Sequence, residues 1–175
     1  MEDSGTKPHQ SWLDRLISKL RDEPETTDEL IESLRAAFNR NLLDEDTFSM
    51  VEGVLTFSTL KVRDVMISRS QMDVIHINES LERIIDIITQ TTHSRFPVIG
   101  EDKDDILGIL HAKHLLPFFA HPERFNLKDI LRPARFVTES KSLSALLKEC
   151  RNRDHLVLVV EEYGGVSGLI TMEDL

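Results

Sequence analysis

One run of residues has the types and the spacing to do chemistry: Gly168-Leu169-Ile170-Thr171-Met172-Glu173-Asp174. The pattern predicts an apolar strand that passes at Thr171 into the first turn of a helix. A helix N-terminus presents unpaired N–H groups and the positive end of a dipole, which suits a phosphate. The Thr171 hydroxyl adds a donor, and the Asp174 carboxylate one turn on can accept from two ribose hydroxyls. That is chemistry for a nucleotide. A simpler reading stands beside it, because Thr-x-x-Asp is close to a capping box, which many helices carry with no ligand.

Other candidates are weaker. His111 and His114 stand three apart on an expected helix, with His121 nearby, and imidazole suits cobalt or nickel. Magnesium prefers oxygen ligands, and no carboxylate cage accompanies these histidines, so they are expected to face solvent. The acidic turns Glu101 to Asp105 and Glu161-Glu162 read as solvated hairpins, since nothing near them supplies a nucleophile or a positioned base. Cys150 falls at a core-facing helix position, where packing outweighs reactivity. Gly164-Gly165 is too sparse for a phosphate loop and fits a tight turn. No catalytic constellation emerges, and the expectation is a protein that is not an enzyme.

The elements that must position Thr171 and Asp174 occur twice. Val62-Arg63-Asp64-Val65-Met66 returns as Leu127-Lys128-Asp129-Ile130-Leu131, and Ser80-Leu81 as Ser142-Leu143. Phe96-Pro97-Val98-Ile99 returns as Val157-Leu158-Val159-Val160, and Gly108-Ile109-Leu110 as Gly168-Leu169-Ile170. The matched positions lie 65, 62, 61 and 60 residues apart, so the second copy is shorter only between landmarks, where loops tolerate deletion. Each copy reads as a polar turn, a short strand, a helix, two strands and a second helix. In the first copy these are Met72 to Ile77, a helix after Ser80 with Leu81, Ile84, Ile85 and Ile88 on one face, Phe96 to Ile99, and Ile106 to Leu110. In the second they are Arg135 to Thr138, a helix with Leu143, Leu146, Leu147 and Cys150, Leu156 to Val160, and Val166 to Ile170. Consecutive apolar residues predict strands buried on both faces, hence an α/β fold. A cleft between two such pseudo-symmetric halves is a natural ligand site.

Ahead of the repeat lies a helical segment of about 60 residues with no counterpart in it. Ser11 is expected to cap a helix carrying Leu13, Leu16, Ile17 and Leu20, which Pro24 ends. Thr26 with Glu29 predicts a capped second helix carrying Leu30, Ile31, Leu34 and Phe38. Asp44 is placed to cap a third, carrying Met50, Val51, Val54 and Leu55. The expected division is 1–60, a polar tail and helical segment, then 61–121 and 122–175, the two copies. The last helix would have only five residues, too few to sustain itself, so the second copy reads as cut within an element.

Composition narrows the partners. The 175 residues carry a formal net charge of -10 and 40% hydrophobic residues. That charge excludes nucleic acid, which requires a basic face. It equally disfavours charge-driven docking on an anionic membrane. The longest apolar runs are too short to span a bilayer, the N-terminus lacks a signal-peptide layout, and one cysteine cannot make an internal disulfide. The expectation is a cytoplasmic protein.

From about Asp28 onward the chain resembles a known family. Two such units in tandem look like a cystathionine-β-synthase (CBS) domain pair, the Bateman module. The strings from Arg63 to Met72, His93 to Val98 and Glu162 to Gly168 resemble CorC-type magnesium and cobalt efflux proteins, also called haemolysin-C-like. The stretch from Leu43 to Val54 fits the same family. The resemblance implies two β-α-β-β-α units related by a pseudo-two-fold axis, sensing an adenine nucleotide, ATP or AMP, with Mg2+ as a potential companion. It assigns phosphate and ribose contacts to Thr171 and Asp174, a phosphate contact to Arg95, and adenine contacts to Phe136 and Val137, for which core packing is an equal alternative. His111 and His114 replace the Thr and Asp of the motif in the first copy, so one working nucleotide site is expected. The resemblance further implies a homodimer, a membrane transporter as partner, a place at the cytoplasmic face of the inner membrane, and another domain after the pair. Two other readings remain open: a ligand-free structural scaffold, and a regulatory fragment of a larger enzyme.

Overall fold

Two of the expected caps set the first helices. The structure is a computed structural model that describes residues 24–150 and 155–174; the helix expected after Ser11 lies outside the described residues. The Thr26 hydroxyl accepts from the Glu29 N–H at 3.2 Å, opening α1 (Thr27–Asn39). The Glu29 carboxylate reaches back one residue further than in a simple box, accepting from the Glu25 N–H at 2.8 Å. Asp44 Oδ1 accepts from the Thr47 N–H at 2.7 Å ahead of α2 (Glu45–Thr59). That hydrogen bond holds the Asp44 carboxyl below the usual carboxylate range. Phe38 stacks on Phe48 with ring centroids 5.2 Å apart, joining the two helices. Met50 and Val54, expected on an apolar stripe, are instead exposed, so α2 buries a narrower face than its spacing predicts.

The described residues divide into two units, one ending at Thr56 and one beginning at Phe57. The second holds the repeat. In the first copy α3 (Val62–Val65) leads into β1 (Ile67–Ser68), a 3-10 turn and β2 (Ile75–His76). There follow α4 (Leu81–Thr91), capped by Ser80, then β3 (Arg95–Ile99) and β4 (Ile106–His111). The second copy supplies β5 (Phe136–Thr138), α5 (Leu143–Cys150), β6 (Leu156–Val160) and β7 (Val166–Thr171). In each copy a parallel pair precedes an antiparallel hairpin: β2 to β3 to β4, and β5 to β6 to β7. The consecutive apolar runs are buried strands, as expected, with Phe96, Val98, Leu158 and Val159 at 0% exposure.

The copies exchange their opening segments, which the repeat alone did not reveal. β1 belongs to the first copy in sequence but pairs antiparallel with β7 of the second, Ile67 opposite Leu169 and Ser68 opposite Gly168. The reciprocal bridge joins Arg132 of the second copy to Ile109 of the first. Val62 packs into the second-copy core with Val137, Leu143, Leu146 and Ile170, while Leu127 packs into the first-copy core with Ile75, Ile84, Phe96 and Leu110. Burying a side chain of this size contributes about 1.5–3 kcal/mol, so each half depends on the other for part of its core. A third cluster draws Met72 and Ile109 together with Leu156, Leu158, Val166 and Leu169, across the join.

The exchange explains two glycines. A Cβ at Gly168 would lie 2.2 Å from the Ile67 carbonyl oxygen, and one at Gly108 would lie 2.8 Å from that of Arg132. Each glycine sits where the other copy's opening segment crosses the hairpin, and only a bare backbone allows that approach.

Candidate functional site

The exchange brings the first copy's opening segment against the end of β7, and a cavity of about 380 Å3 forms between the copies. That is within the range of small-molecule sites. Ile67, Met72, Leu156 and Leu169 give it an apolar wall. Its polar rim carries Asp73, His93 and Arg95 from the first copy, and His155, Thr171, Glu173 and Asp174 from the second.

β7 delivers Thr171 to the rim, and the 3-10 turn Met172–Asp174 brings the carboxylate back over it. Asp174 Oδ2 accepts from both the Thr171 N–H at 2.8 Å and the Thr171 hydroxyl at 2.7 Å. The cap and the motif are therefore one object: the bonds that fix the turn also hold the carboxylate at the cavity. Among the described residues Asp174 Oδ1 accepts no hydrogen bond, so it is available to a ligand. Arg95 opens β3 on the opposite side, and the His93 ring N–H donates to Asp73 Oδ2 at 3.1 Å, tying the 3-10 segment to the start of that strand.

Three of the five residues singled out from the sequence, Arg95, Thr171 and Asp174, converge here. Phe136 and Val137 do not. Val137 is buried in the second-copy core, and Phe136 stands exposed beside it on β5. The reason is sheet order. In β1-β7-β6-β5 the strand β5 occupies the edge opposite β1, and the cavity forms at the β1 side. Asp73, His93, His155 and Glu173 were missed because the linear repeat does not show that the openings trade places. The matched Gly108 and Gly168 were the available signal, since a bare backbone is required wherever another backbone crosses.

The histidines behave differently from expectation. His111 ends β4 directly across from Arg95, and His114 lies on a 3-10 segment, Ala112–Phe119, rather than an α-helix. Both are half-buried, with ring centroids 5.4 Å apart, and the second copy's opening meets His114 at Ile130. His114 Nδ1 donates to the Ile130 carbonyl at 3.3 Å, and His111 Nδ1 is buried without a hydrogen-bond partner. Burial, reinforced by the charges of Arg95 and Lys113 and by His114 and His155, pushes the His111 imidazole down to about 4. Among the described residues no group of three or more His, Cys, Asp or Glu could hold a metal ion.

The acidic turn of the first copy is more than a solvated hairpin. Asp104 accepts from the Arg69 guanidinium and, at 2.7 Å, from the Val166 N–H of the second copy. Arg69 also donates to the Val166 carbonyl at 2.9 Å, and Lys103 Nζ donates to the Arg69 and Met72 carbonyls at 2.8 and 3.1 Å. The Arg69 guanidinium holds the Asp104 carboxyl below the usual carboxylate range. The turn latches the 3-10 segment beside the cavity to β7.

The chain matches the CBS domain model over residues 62–121 and 127–175, and the model "N-terminal region of NMB0537" over 22–57. A crystal structure of a conserved domain of unknown function from Neisseria meningitidis MC58 is 56% identical, with a TM-score of 0.78 over 85% of this chain and 97% of that one. The CBS domain of a bacterial CNNM/CorC family Mg2+ transporter, solved in complex with ATP, is 34% identical, with a TM-score of 0.66 over 71% of this chain and 90% of that one.

The chain belongs to the CBS-domain family, as a tandem pair related to the CorC proteins. The magnesium and cobalt efflux protein CorC of Escherichia coli K12 is 48% identical over 169 residues, 95% of this chain. The CBS pair and its lead-in span 58% of that relative's length. The expected α/β tandem of CBS units preceded by helices is the observed fold. Among the described residues no helix is long and apolar enough to cross a membrane.

Proposed function

We propose that this CBS pair is an adenine-nucleotide-sensing regulatory module of a CorC-like protein, acting in magnesium and cobalt efflux. The observation that carries the reading is the convergence of Arg95, Thr171 and Asp174 on one cavity with an apolar wall. The base packs against Ile67, Met72, Leu156 and Leu169. The ribose hydroxyls donate to Asp174, whose second oxygen is available. Arg95 meets the phosphates, and the Thr171 hydroxyl joins it by turning its proton from Asp174 Oδ2 to a phosphate oxygen. The structure of a related CBS domain with ATP supports this choice of ligand.

Occupancy acts through the join. The cavity has walls from both copies, so a ligand that bridges them favours one relative setting of the halves over another. It can shift that equilibrium only by its difference in affinity for the two settings. The output passes to a membrane transporter partner or to an attached domain, and the module works as a homodimer at the cytoplasmic face. Mg2+ enters on the nucleotide's phosphates, because the protein offers it no cage among the described residues.

Calorimetric titration of ATP and AMP, with and without Mg2+, tests the reading beside an Asp174→Ala variant. Saturable binding near one site per chain, lost in the variant, is the expected result. A folded protein that binds neither nucleotide overturns it. Asp174 is then only a cap worth about 1 kcal/mol, and the module is a scaffold.

A further inference from the structure

The pseudo-two-fold axis pairs each residue of the acidic rim with a residue of opposite or no charge. Counting 60 residues back, Thr171 corresponds to His111, Glu173 to Lys113 and Asp174 to His114. The two turns are built alike: the Met172 N–H donates to the His155 carbonyl, and the Ala112 N–H donates to that of Ser94. The backbone repeats, while the two carboxylates of the second copy give way to a lysine and an imidazole in the first. Arg95 and His155 link the two sides, since both line the cavity and both bear electrostatically on His111. Arg95 is also the cross-strand neighbour of His111.

We infer that the first-copy turn is a phosphate site, and that a nucleotide seated on Asp174 runs its phosphate chain past Arg95 to His111 and Lys113. This rests on the reading of Asp174 as the ribose contact. Asp73, Glu173 and Asp174 repel phosphate oxygens from the ribose side of the rim, and among the described residues Arg95 is the one arginine or lysine in the cavity lining. Lys113 bears electrostatically on His111, the cross-strand neighbour of Arg95, and makes no ion pair among the described residues. His111 Nδ1 is a buried polar atom with no partner, and the ring's basicity is lowered first by burial and then by the charges of Arg95 and Lys113. A phosphate beside this half-buried ring would supply a counter-charge and raise its basicity, as nearby anions and charge-assisted hydrogen bonds do.

Affinity should then rise with phosphate count. Adenosine, AMP, ADP, ATP and inorganic tripolyphosphate are titrated into the wild-type chain and the variants Lys113→Ala and His111→Gln. Lys113 is exposed, so its variant is expected to fold. Lys113→Ala should weaken ATP by about tenfold or more and leave adenosine within about twofold. His111→Gln should weaken ATP in the same sense. The His111 ring resonances, followed by NMR, should titrate at higher pH with ATP bound. If ATP binds but both variants bind it like the wild type, the phosphate site is overturned while the nucleotide reading stands. If tripolyphosphate binds through Lys113 while adenosine and nucleotides do not, the phosphate site stands and the nucleotide reading falls. No binding by any of them overturns both.

Discussion

The rim that ends in Thr171, Glu173 and Asp174 and the turn that carries His111, Lys113 and His114 are the same piece of backbone used twice. Each follows an antiparallel hairpin with matched pairing, Val98 opposite Gly108 in one and Val159 opposite Gly168 in the other. Each is crossed by the other copy's opening segment. The polar ends, exposed or half-buried, are what have parted. Even Asp73 on the rim faces a counterpart of opposite sign, Arg135, two residues before the equivalent strand positions Ile75 and Val137. That arginine is engaged by Glu149 at 2.7 Å. Packing against a shared join fixes the glycines and apolar positions, whereas rim side chains that touch solvent are free to change charge. The two halves thus keep one fold and acquire two chemistries.

The strongest way to break this comparison is to attack the exchange itself. Leu127→Ala removes a side chain of 4% exposure from the first-copy core, and Val62→Ala removes one of 0% from the second. A buried Leu→Ala change costs about 2–5 kcal/mol, and the valine, with less volume to lose, should cost less. Chemical denaturation measures both. Because each residue sits in the core of the copy it does not belong to, both halves should melt together in either variant. Separate transitions for the two copies would show that the exchange does not couple them.

The glycines give a finer comparison. Gly168→Ala forces a Cβ to 2.2 Å from a backbone carbonyl, and Gly108→Ala to 2.8 Å. Overpacking of this kind costs about 1–3 kcal/mol, with Gly168 the more sensitive because its contact is the closer of the two and neither carbonyl can swing away like a side-chain end. Thermal melts of the two variants rank them. Gly168→Ala should also weaken any ligand at the cavity, since it displaces β1 from β7 beside Ile67, whereas Gly108→Ala lies on the far hairpin.

Much of this was legible in the sequence, for identifiable reasons. The runs at Phe96 to Ile99 and Leu156 to Val160 could hardly be anything but buried strands, and Ser80, Thr26 and Asp44 cap through side chains only a few residues from their targets. The shared turn of Thr171 and Asp174 was readable because the two stand three residues apart and bond to each other. That Phe136 and Val137 lie at the sheet edge away from the cavity was not legible, because sheet order depends on pairing between distant segments that no local pattern encodes. Asp104 was passed over as one more charge in an acidic turn, since its partners, Arg69 and Val166, lie 35 and 62 residues away.

That latch marks the clearest asymmetry between the copies, and it yields the smallest of the expected effects on stability. The first copy's acidic turn reaches across to β7 through Asp104, while the second copy's turn, Glu161 to Gly165, closes on itself with the Glu161 N–H donating to the Gly165 carbonyl at 3.0 Å. Arg69 holds the Asp104 carboxyl below its ordinary value in the folded chain. A group depressed in this way stabilises the fold above its unfolded pKa, near 3.9, and that contribution fades as pH falls through the folded value. Asp104→Asn should therefore lower Tm at pH 7 by less than either core variant does. The gap should then narrow as the pH drops below about 4 and wild-type Asp104 takes up its proton. Melting curves across that acid range decide it: a gap that stays constant would mean that the carboxylate charge contributes nothing to the latch and that only its shape matters.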